Sequence, residues 1–354
     1  MNPLESQLDY PFGDTLPASG TVLEVAPGVA WMRLPLPFAL DHINLWLLRE
    51  EGGWSAVDCG VALDASKEAW EAVLAGPLAG QPLRHVVATH CHPDHVGLAD
   101  WLCQRFGIQL WMTTGEYAFA RMMSAALPGV DGPSAVPHFE RHGLADPEML
   151  EKMRSRKSYY PSLVPSVPAS YVRLQDGQVF TAGDCTWRVI AGFGHSPEHA
   201  ALYCEQLNVL ISGDMVLPRI STNVSVFAVE PDGNPLQQYL DSLERFAGLP
   251  DDVLVLPSHG RPFRGLHTRI QQLRDHHEAR LAEVLAACTG QPRSAAEIVP
   301  IMFRRPLDAH QLSFALGEAL AHLNKLWRDG IVRRDTGNDG IIKFIKAHSV
   351  TDGL

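Results

Sequence analysis

From residue 21 onward, apolar and polar positions alternate over short segments separated by turn residues. Thr21–Ala26 and Val29–Leu36 flank Pro27-Gly28, and His42–Arg49 and Trp54–Asp58 flank Glu51-Gly52-Gly53, so both pairs predict hairpins. Helical spacing follows in Leu63–Ala75, with Ala65, Ala69, Ala72 and Val73 on one face and a stop at Gly76-Pro77. The valine-rich run Arg84–Thr89 predicts a buried strand, Leu98–Phe106 a helix closed by Gly107, and Ile108–Met112 the next strand. Strands alternating with helices imply helices packed on a sheet.

Between Gly115 and Pro168 the pattern changes to two helical stretches, Glu116–Ala126 and Pro147–Arg156, joined by Pro/Gly-rich loops. An insertion of this length suits either a lid over a site or a surface helical hairpin. Short strands resume at Tyr171–Leu174, Val179–Thr181, Trp187–Ala191, Ala200–Glu205 and Val209–Ser212, followed by a helix at Pro235–Ala247 and a strand at Val253–Pro257. Two comparable halves predict a four-layer αββα sandwich over residues 1–262, of which 115–168 is the helical insertion. A long helix, Arg264–Cys288, then connects (263–290) to a compact unit over 291–354. There, Ser294–Met302 opens on a capping box (Ser294, Glu297), Gln311–Arg328 repeats leucines at helical spacing, and Ile331–Arg334 pairs with Ile341–Lys346. Helix, helix, hairpin resembles a winged helix.

Composition sharpens this picture in three ways. Of 354 residues, 46% are apolar and 19% charged, enough for a large core and too apolar for wholesale disorder. No run of 18 uninterrupted apolar residues suggests a membrane span, and the polar, acidic first twenty residues do not read as a signal peptide, so a cytoplasmic protein is expected. Net charge is −11, which argues against a surface-wide nucleic-acid binder. Six cysteines without a C-x-x-C pair read as free thiols.

The sixteen histidines are the unusual feature. His90-Cys91-His92-Pro93-Asp94-His95 follows a strand, and alternation along extended chain sends His90 and His92 to the same side. Imidazole with carboxylate suits zinc, manganese or iron. His195, Asp214 and His259 each follow a predicted strand, which places further donors at the same ends of four strands.

This set resembles the metallo-β-lactamase superfamily, whose T-H-x-H-x-D-H motif matches Thr89–His95 and whose later His, Asp and His match His195, Asp214 and His259. With its tail, the chain looks like the glyoxalase II-like branch that carries a C-terminal winged helix. The resemblance implies two divalent metal ions, zinc first, with iron or manganese as alternatives. His90, His92 and His195 would hold one; Asp94, His95 and His259 the other; Asp214 would bridge. Cys91 should point away from the metals, Asp58 should brace a ligand histidine, and His199 should pack or hydrogen-bond behind His195. Glu198 stands where the family often has glycine.

By the same resemblance, a metal-bridging hydroxide oriented by the catalytic Asp94 cleaves a small ester, thioester or lactone. The alternative is a metal-dependent endoribonuclease, favoured by nine Lys/Arg against six Asp/Glu over 291–348. Arg154, Arg156, Lys157, Tyr159 and Tyr160 combine cations and aromatics in the insertion and are candidate contacts for an anionic substrate. Arg261, Arg264 and Arg269 are further candidates. Tyr159, Tyr160, His42 and Asn44 are candidates to protonate the leaving group. The expected partners are a small-molecule anionic or ester substrate, RNA in the alternative, and a second copy of the chain docked through its tail; no membrane partner is expected.

Overall fold

The structure is a computed structural model that describes residues 4–38, 40–155 and 159–347. In chain order its elements begin β1 (Val22–Ala26), β2 (Val29–Pro35), β3 (His42–Glu50), β4 (Gly53–Val57), α1 (Asp64–Ala75), β5 (Leu83–Val87), α2 (Pro93–Val96), α3 (Ala99–Phe106), β6 (Leu110–Thr113) and α4 (Thr114–Ser124). They continue α5 (Gly132–Arg141), α6 (Pro147–Ser155), α7 (Tyr160–Leu163), β7 (Tyr171–Leu174), β8 (Val179–Ala182), β9 (Cys185–Gly192), β10 (His199–Cys204) and β11 (Val209–Gly213). The last are α8 (Pro235–Glu244), β12 (Leu254–Pro257), α9 (Leu266–Ala287), α10 (Ala295–Met302), α11 (Ala309–Arg328), β13 (Val332–Thr336) and β14 (Ile342–Lys346). The chain divides into two compact units: residues 1–125, 159–222 and 242–272 form the first, and 126–158, 223–241 and 273–354 the second.

The first unit carries two sheets. One runs β1-β2-β3-β4-β5-β6-β7, antiparallel to β4 and parallel from β4 onward; the other runs β12-β11-β10-β9-β8. Strand β3 shows why they stack. Ile43, Leu45 and Leu47 enter one core and Trp46 and Leu48 another, so both faces are covered and the stretch Leu45–Leu48 reads as an unbroken apolar run. The core between the sheets is built from Trp31, Trp46, Val87, Trp187, Leu202, Ile211 and Leu256. On the outer face of the first sheet, Trp70 of α1 and Leu102 of α3 bury against Leu45, Leu83 and Leu110. This is the αββα sandwich that the strand order predicts. One strand differs: Tyr171–Leu174 closes the first sheet beside β6 rather than starting the second.

In the second unit α11 buries Leu316, Ala319, Leu320, Leu323 and Leu326, and α10 buries Ile298, Val299 and Met302. Both helices start on capping boxes, Ser294 with Glu297 and Asp308 with Gln311, which satisfy backbone N–H groups that have no intrahelical partner. The hairpin β13–β14 holds the register Val332↔Lys346 to Thr336↔Ile342. Helix α5 was not visible as a helix in the sequence because Pro133 and Pro137 interrupt it. Pro133 lies in the first turn, where its missing N–H costs nothing, and Asp131 caps the start by accepting from Ser134 N at 3.0 Å. Among the described residues, no helix is long and apolar enough to cross a membrane.

Candidate metal centre

Four loops leave the ends of β5, β9, β11 and β12 and bring the predicted donors together within the first unit. His90, His92, His195 and Asp214 form one group and Asp94, His95 and His259 another. In the first, His90 Nε2 is 2.8 Å from His92 Nδ1 and 3.2 Å from His195 Nε2, and Asp214 Oδ2 is 3.5 Å from His195 Nε2 and 3.9 Å from His90 Nε2. In the second, Asp94 Oδ2 is 3.3 Å from His259 Nε2 and 3.6 Å from His95 Nε2. Asp214 Oδ1 lies 3.4 Å from His259 and 3.7 Å from His95. Donors about 2.0–2.1 Å from a tetrahedral ion lie about 3.3 Å from one another, so both groups have the spacing of a first coordination sphere.

The ring orientations fit the same purpose. His95 Nδ1 faces Asp58 Oδ2 at 2.8 Å, and His259 Nδ1 donates to the His42 carbonyl oxygen at 2.7 Å. Each back-side bond keeps the Nδ1 proton in place and turns the Nε2 lone pair inward. His95 Nε2 and Asp214 Oδ1 are buried with no hydrogen-bond partner, as donors aimed at an ion would be. Burial, reinforced by His195, holds His92 down at about 3, so it stays neutral and able to donate its lone pair. Burial also pulls His95 down, but Asp58, Asp94 and Asp214 outweigh it and raise the ring to about 9. The carboxylates around this ring therefore favour positive charge.

The backbone is bent to make this possible. Asp58 adopts φ +64°, an uncommon conformation for a residue with a side chain, and receives Thr89 N at 2.7 Å and Thr89 Oγ1 at 2.9 Å. Asp58 thus ties the start of the histidine loop to His95, the bracing role expected of it. Gly213 has φ +54°, and a Cβ there would lie 2.2 Å from His199 Nε2. That nitrogen accepts from Asp214 N at 3.2 Å. His199 therefore fixes the backbone of Asp214; its ring lies nearer His90 (5.0 Å) than His195 (6.5 Å), which corrects the expected packing behind His195. Cys91 is buried in the core on the outer face of the first sheet, as expected of a structural thiol.

One residue escaped the sequence reading. Glu116, fully buried in the first turn of α4, accepts from Cys91 N at 2.8 Å, Ser196 Oγ at 2.6 Å and Glu198 N at 2.6 Å. A single carboxylate thus clamps the loop of His90 and His92 to the loop of His195. Burial raises its pKa, and these hydrogen bonds oppose the rise. Glu198, in the position often occupied by glycine, continues the clamp by accepting from Gly115 N at 3.0 Å through its side chain and from Thr113 Oγ1 at 2.7 Å through its carbonyl.

The predicted substrate contacts fare differently. Tyr160 is 1% exposed and donates to the Cys91 carbonyl at 2.5 Å, so it supports the histidine loop and cannot reach substrate or protonate a leaving group. Tyr159 is half-buried against the same core. Arg154 is exposed in the second unit and paired with Glu140 at 2.6 Å. Arg156 and Lys157 lie outside the described residues. Asn44 is wholly buried and engaged with Trp31 Nε1, Pro257 O and Gly260 O, which removes it as a proton donor. Arg264 is bound to the Asp252 carbonyl, and the buried Arg269 to the carbonyls of Leu217 and Ile220.

Comparison with known proteins gives this centre a context. The profile of the metallo-beta-lactamase superfamily matches residues 39–259, and that of the metallo-beta-lactamase-like C-terminal domain matches residues 281–347. The crystal structure of a beta-lactamase domain protein from Burkholderia ambifaria is 58% identical, covers 98% of this chain and 100% of its own, and superposes with a TM-score of 0.93. The probable metallo-hydrolase YqjP of Bacillus subtilis is 24% identical over 83% of this chain and 91% of its own length. An atrochrysone carboxyl ACP thioesterase of Aspergillus fumigatus is 27% identical over 52% of this chain and 57% of its own. With the profile spanning well over half of its length, this chain belongs to the metallo-beta-lactamase superfamily of metallo-hydrolases.

Proposed function

We propose that the protein is a binuclear metal-dependent hydrolase of thioesters. One observation carries the binuclear reading: Asp214 turns one oxygen to each donor group, 3.4–3.9 Å from ring nitrogens on both sides. The thioester reading is supported by the resemblance to an ACP thioesterase. His90, His92 and His195 would hold one ion, Asp94, His95 and His259 the second, and Asp214 both. The nitrogen and carboxylate donors suit zinc. Two such ions, when bound, lower the pKa of water toward neutrality and stabilise negative charge on a carbonyl oxygen.

The chain's own groups complete the reaction. Burial works against the charge of Asp94, but His95 and His259 outweigh it and hold its carboxyl at about 2, so it is ionised at neutral pH. It can accept a hydrogen bond from the attacking water and fix its direction. The water oxygen bonds to the acyl carbon as the C–S bond breaks, and the water proton ends on sulfur, giving a carboxylic acid and a thiol. His42 presents its Nε2 to Gly260 N at 2.8 Å and is occupied in shaping the His259 loop, so it is not the group that delivers this proton.

Metal analysis of the purified protein should find about two equivalents per chain. Acyl thioesters, a homoserine lactone and a short labelled RNA should then be compared. Hydrolysis confined to RNA and abolished by chelation would overturn the thioester reading.

A further inference from the structure

A cleft of about 650 Å³ opens beside the metal centre, with His259 in its wall. Three arginines line it, and two are neutralised there: Arg261 pairs with Asp14 at 2.7 Å and Arg219 with Glu5 at 3.8 Å. Arg33 is different. Its Nη1 is buried and has no hydrogen-bond partner, and Asp41, the acid whose charge acts on it, is hydrogen-bonded to His42 Nδ1 at 2.5 Å. Arg33 stands directly across from Asn44 in the β2–β3 pair, so their side chains share a face, and Asn44 holds the carbonyls of Pro257 and Gly260 on either side of His259. Leu16, Leu40 and Ile220 give the same cleft an apolar stretch.

A half-buried guanidinium with an unsatisfied N–H is costly unless an anion completes it, and a planar fork matches carboxylate or phosphate oxygens. We infer that Arg33 is the specificity residue of this cleft: it receives a carboxylate or phosphate on the substrate while the substrate's apolar segment lies along the leucines and the scissile carbonyl reaches the metal centre. This rests on the hydrolase reading above and narrows it to anionic thioesters. Burial lowers the pKa of Arg33 and the charge of Asp41 only partly opposes this, which agrees with a site completed by a further anion.

The test uses the metal-loaded full chain and three thioesters: butyryl and glutaryl esters of N-acetylcysteamine, and butyryl-CoA. The wild type should hydrolyse at least one charged substrate with kcat/KM about tenfold or more above the neutral butyryl ester. A preference for the glutaryl ester places the anion on the acyl group; a preference for butyryl-CoA places it on the thiol. Arg33→Met should bring the ratio close to one, mainly through KM, and Arg33→Lys should keep part of it. A wild-type ratio near one, or a ratio unchanged in Arg33→Met, overturns the inference. Should no thioester be cleaved, the thioester reading fails, and calorimetric binding of glutarate and of adenosine 3′,5′-bisphosphate still decides the role of Arg33. Binding weakened about tenfold in Arg33→Met supports it. No binding to the wild type, or equal binding to both proteins, overturns it.

Discussion

Both units of this protein bury histidines, and only one gathers them into a centre. In the first, His90, His92 and His195 turn ring nitrogens toward one donor group and His95 and His259 toward a second, with Asp94 and Asp214 among them and Asp58 and the His42 carbonyl behind. In the second, His138 and His142 lie with ring centroids 4.8 Å apart, and His277 and His322 are 5.5 Å apart. Among the described residues neither pair joins a group of three or more metal-capable side chains. Burial lowers the pKa of all four, to about 4 for His138 and His322 and about 3 for His142 and His277. Burial of imidazole is therefore common to both units. What distinguishes the first is the carboxylates that share the pocket with the ring nitrogens, since a back-side carbonyl also holds His322, through Glu318 at 2.8 Å.

The most drastic way to break the contrast is to remove the shared carboxylate. Asp214→Ala should reduce bound metal to under one equivalent and lower hydrolysis by about a thousandfold or more. Full activity in that variant would show that the two donor groups work independently. Next in size, Glu116→Gln keeps the shape of the clamp but gives up its charge and part of its accepting capacity. Metal affinity should fall about 10- to 100-fold, read by competition with a chromophoric chelator, and Glu116→Ala should be worse. An unaltered affinity would mean that the histidine loops hold their positions without it.

A third experiment addresses the second unit through pH. A histidine whose folded pKa is depressed contributes stability that is present above its unfolded value near 6.5 and is lost as pH falls toward the folded value. His138, His142, His277 and His322 all act in this sense. Glu318, pushed up to about 7 by burial, acts in the opposite sense: its contribution is full below about 4.5 and is lost as pH rises through 7. With four groups against one, the stability of this unit should fall between pH 6.5 and 4.5, by up to about 1.4 kcal/mol per proton per pH unit. His277→Leu should flatten the dependence measured by chemical denaturation, and it should leave metal content unchanged. Loss of metal in that variant would erase the distinction drawn between the units. The smallest expected effect is that of Tyr160→Phe, which removes the hydrogen bond to the Cys91 carbonyl and should cost about 1 kcal/mol in thermal unfolding.

The parts legible in the sequence were those carried by local pattern. His90–His95 announced itself within six residues, and the strands before His195, Asp214 and His259 could be recognised from apolar runs alone. Cys91 was placed correctly because alternation along extended chain decides which way a side chain points, whereas the bracing role of Asp58 came from the family resemblance. Glu116 was invisible for the opposite reason: its partners lie 25 to 82 residues away, and a glutamate in a helix's first turn ordinarily needs no explanation beyond the helix dipole. Tyr160 misled because aromatics next to cations suggest a binding surface, whereas its hydroxyl is used inward. Helix α5 was hidden by prolines whose positions matter more than their presence. Arg33 sits in a strand that reads as core, and only the folded cleft shows that its Nη1 has no hydrogen-bond partner while its two neighbours are ion-paired.

The geometry of Asp214 has a consequence for how this centre can change. Under the binuclear reading proposed above, one side chain would serve both donor groups, so neither could be retuned in isolation: a substitution that suits a larger or softer cation on one side would also reset the other. Filling should proceed as a linked pair of events, the first guest freezing the carboxylate in the pose that the second requires. On that reading, a lineage shifting its preferred element would have to move both positions together, and the pair would be inherited as a block.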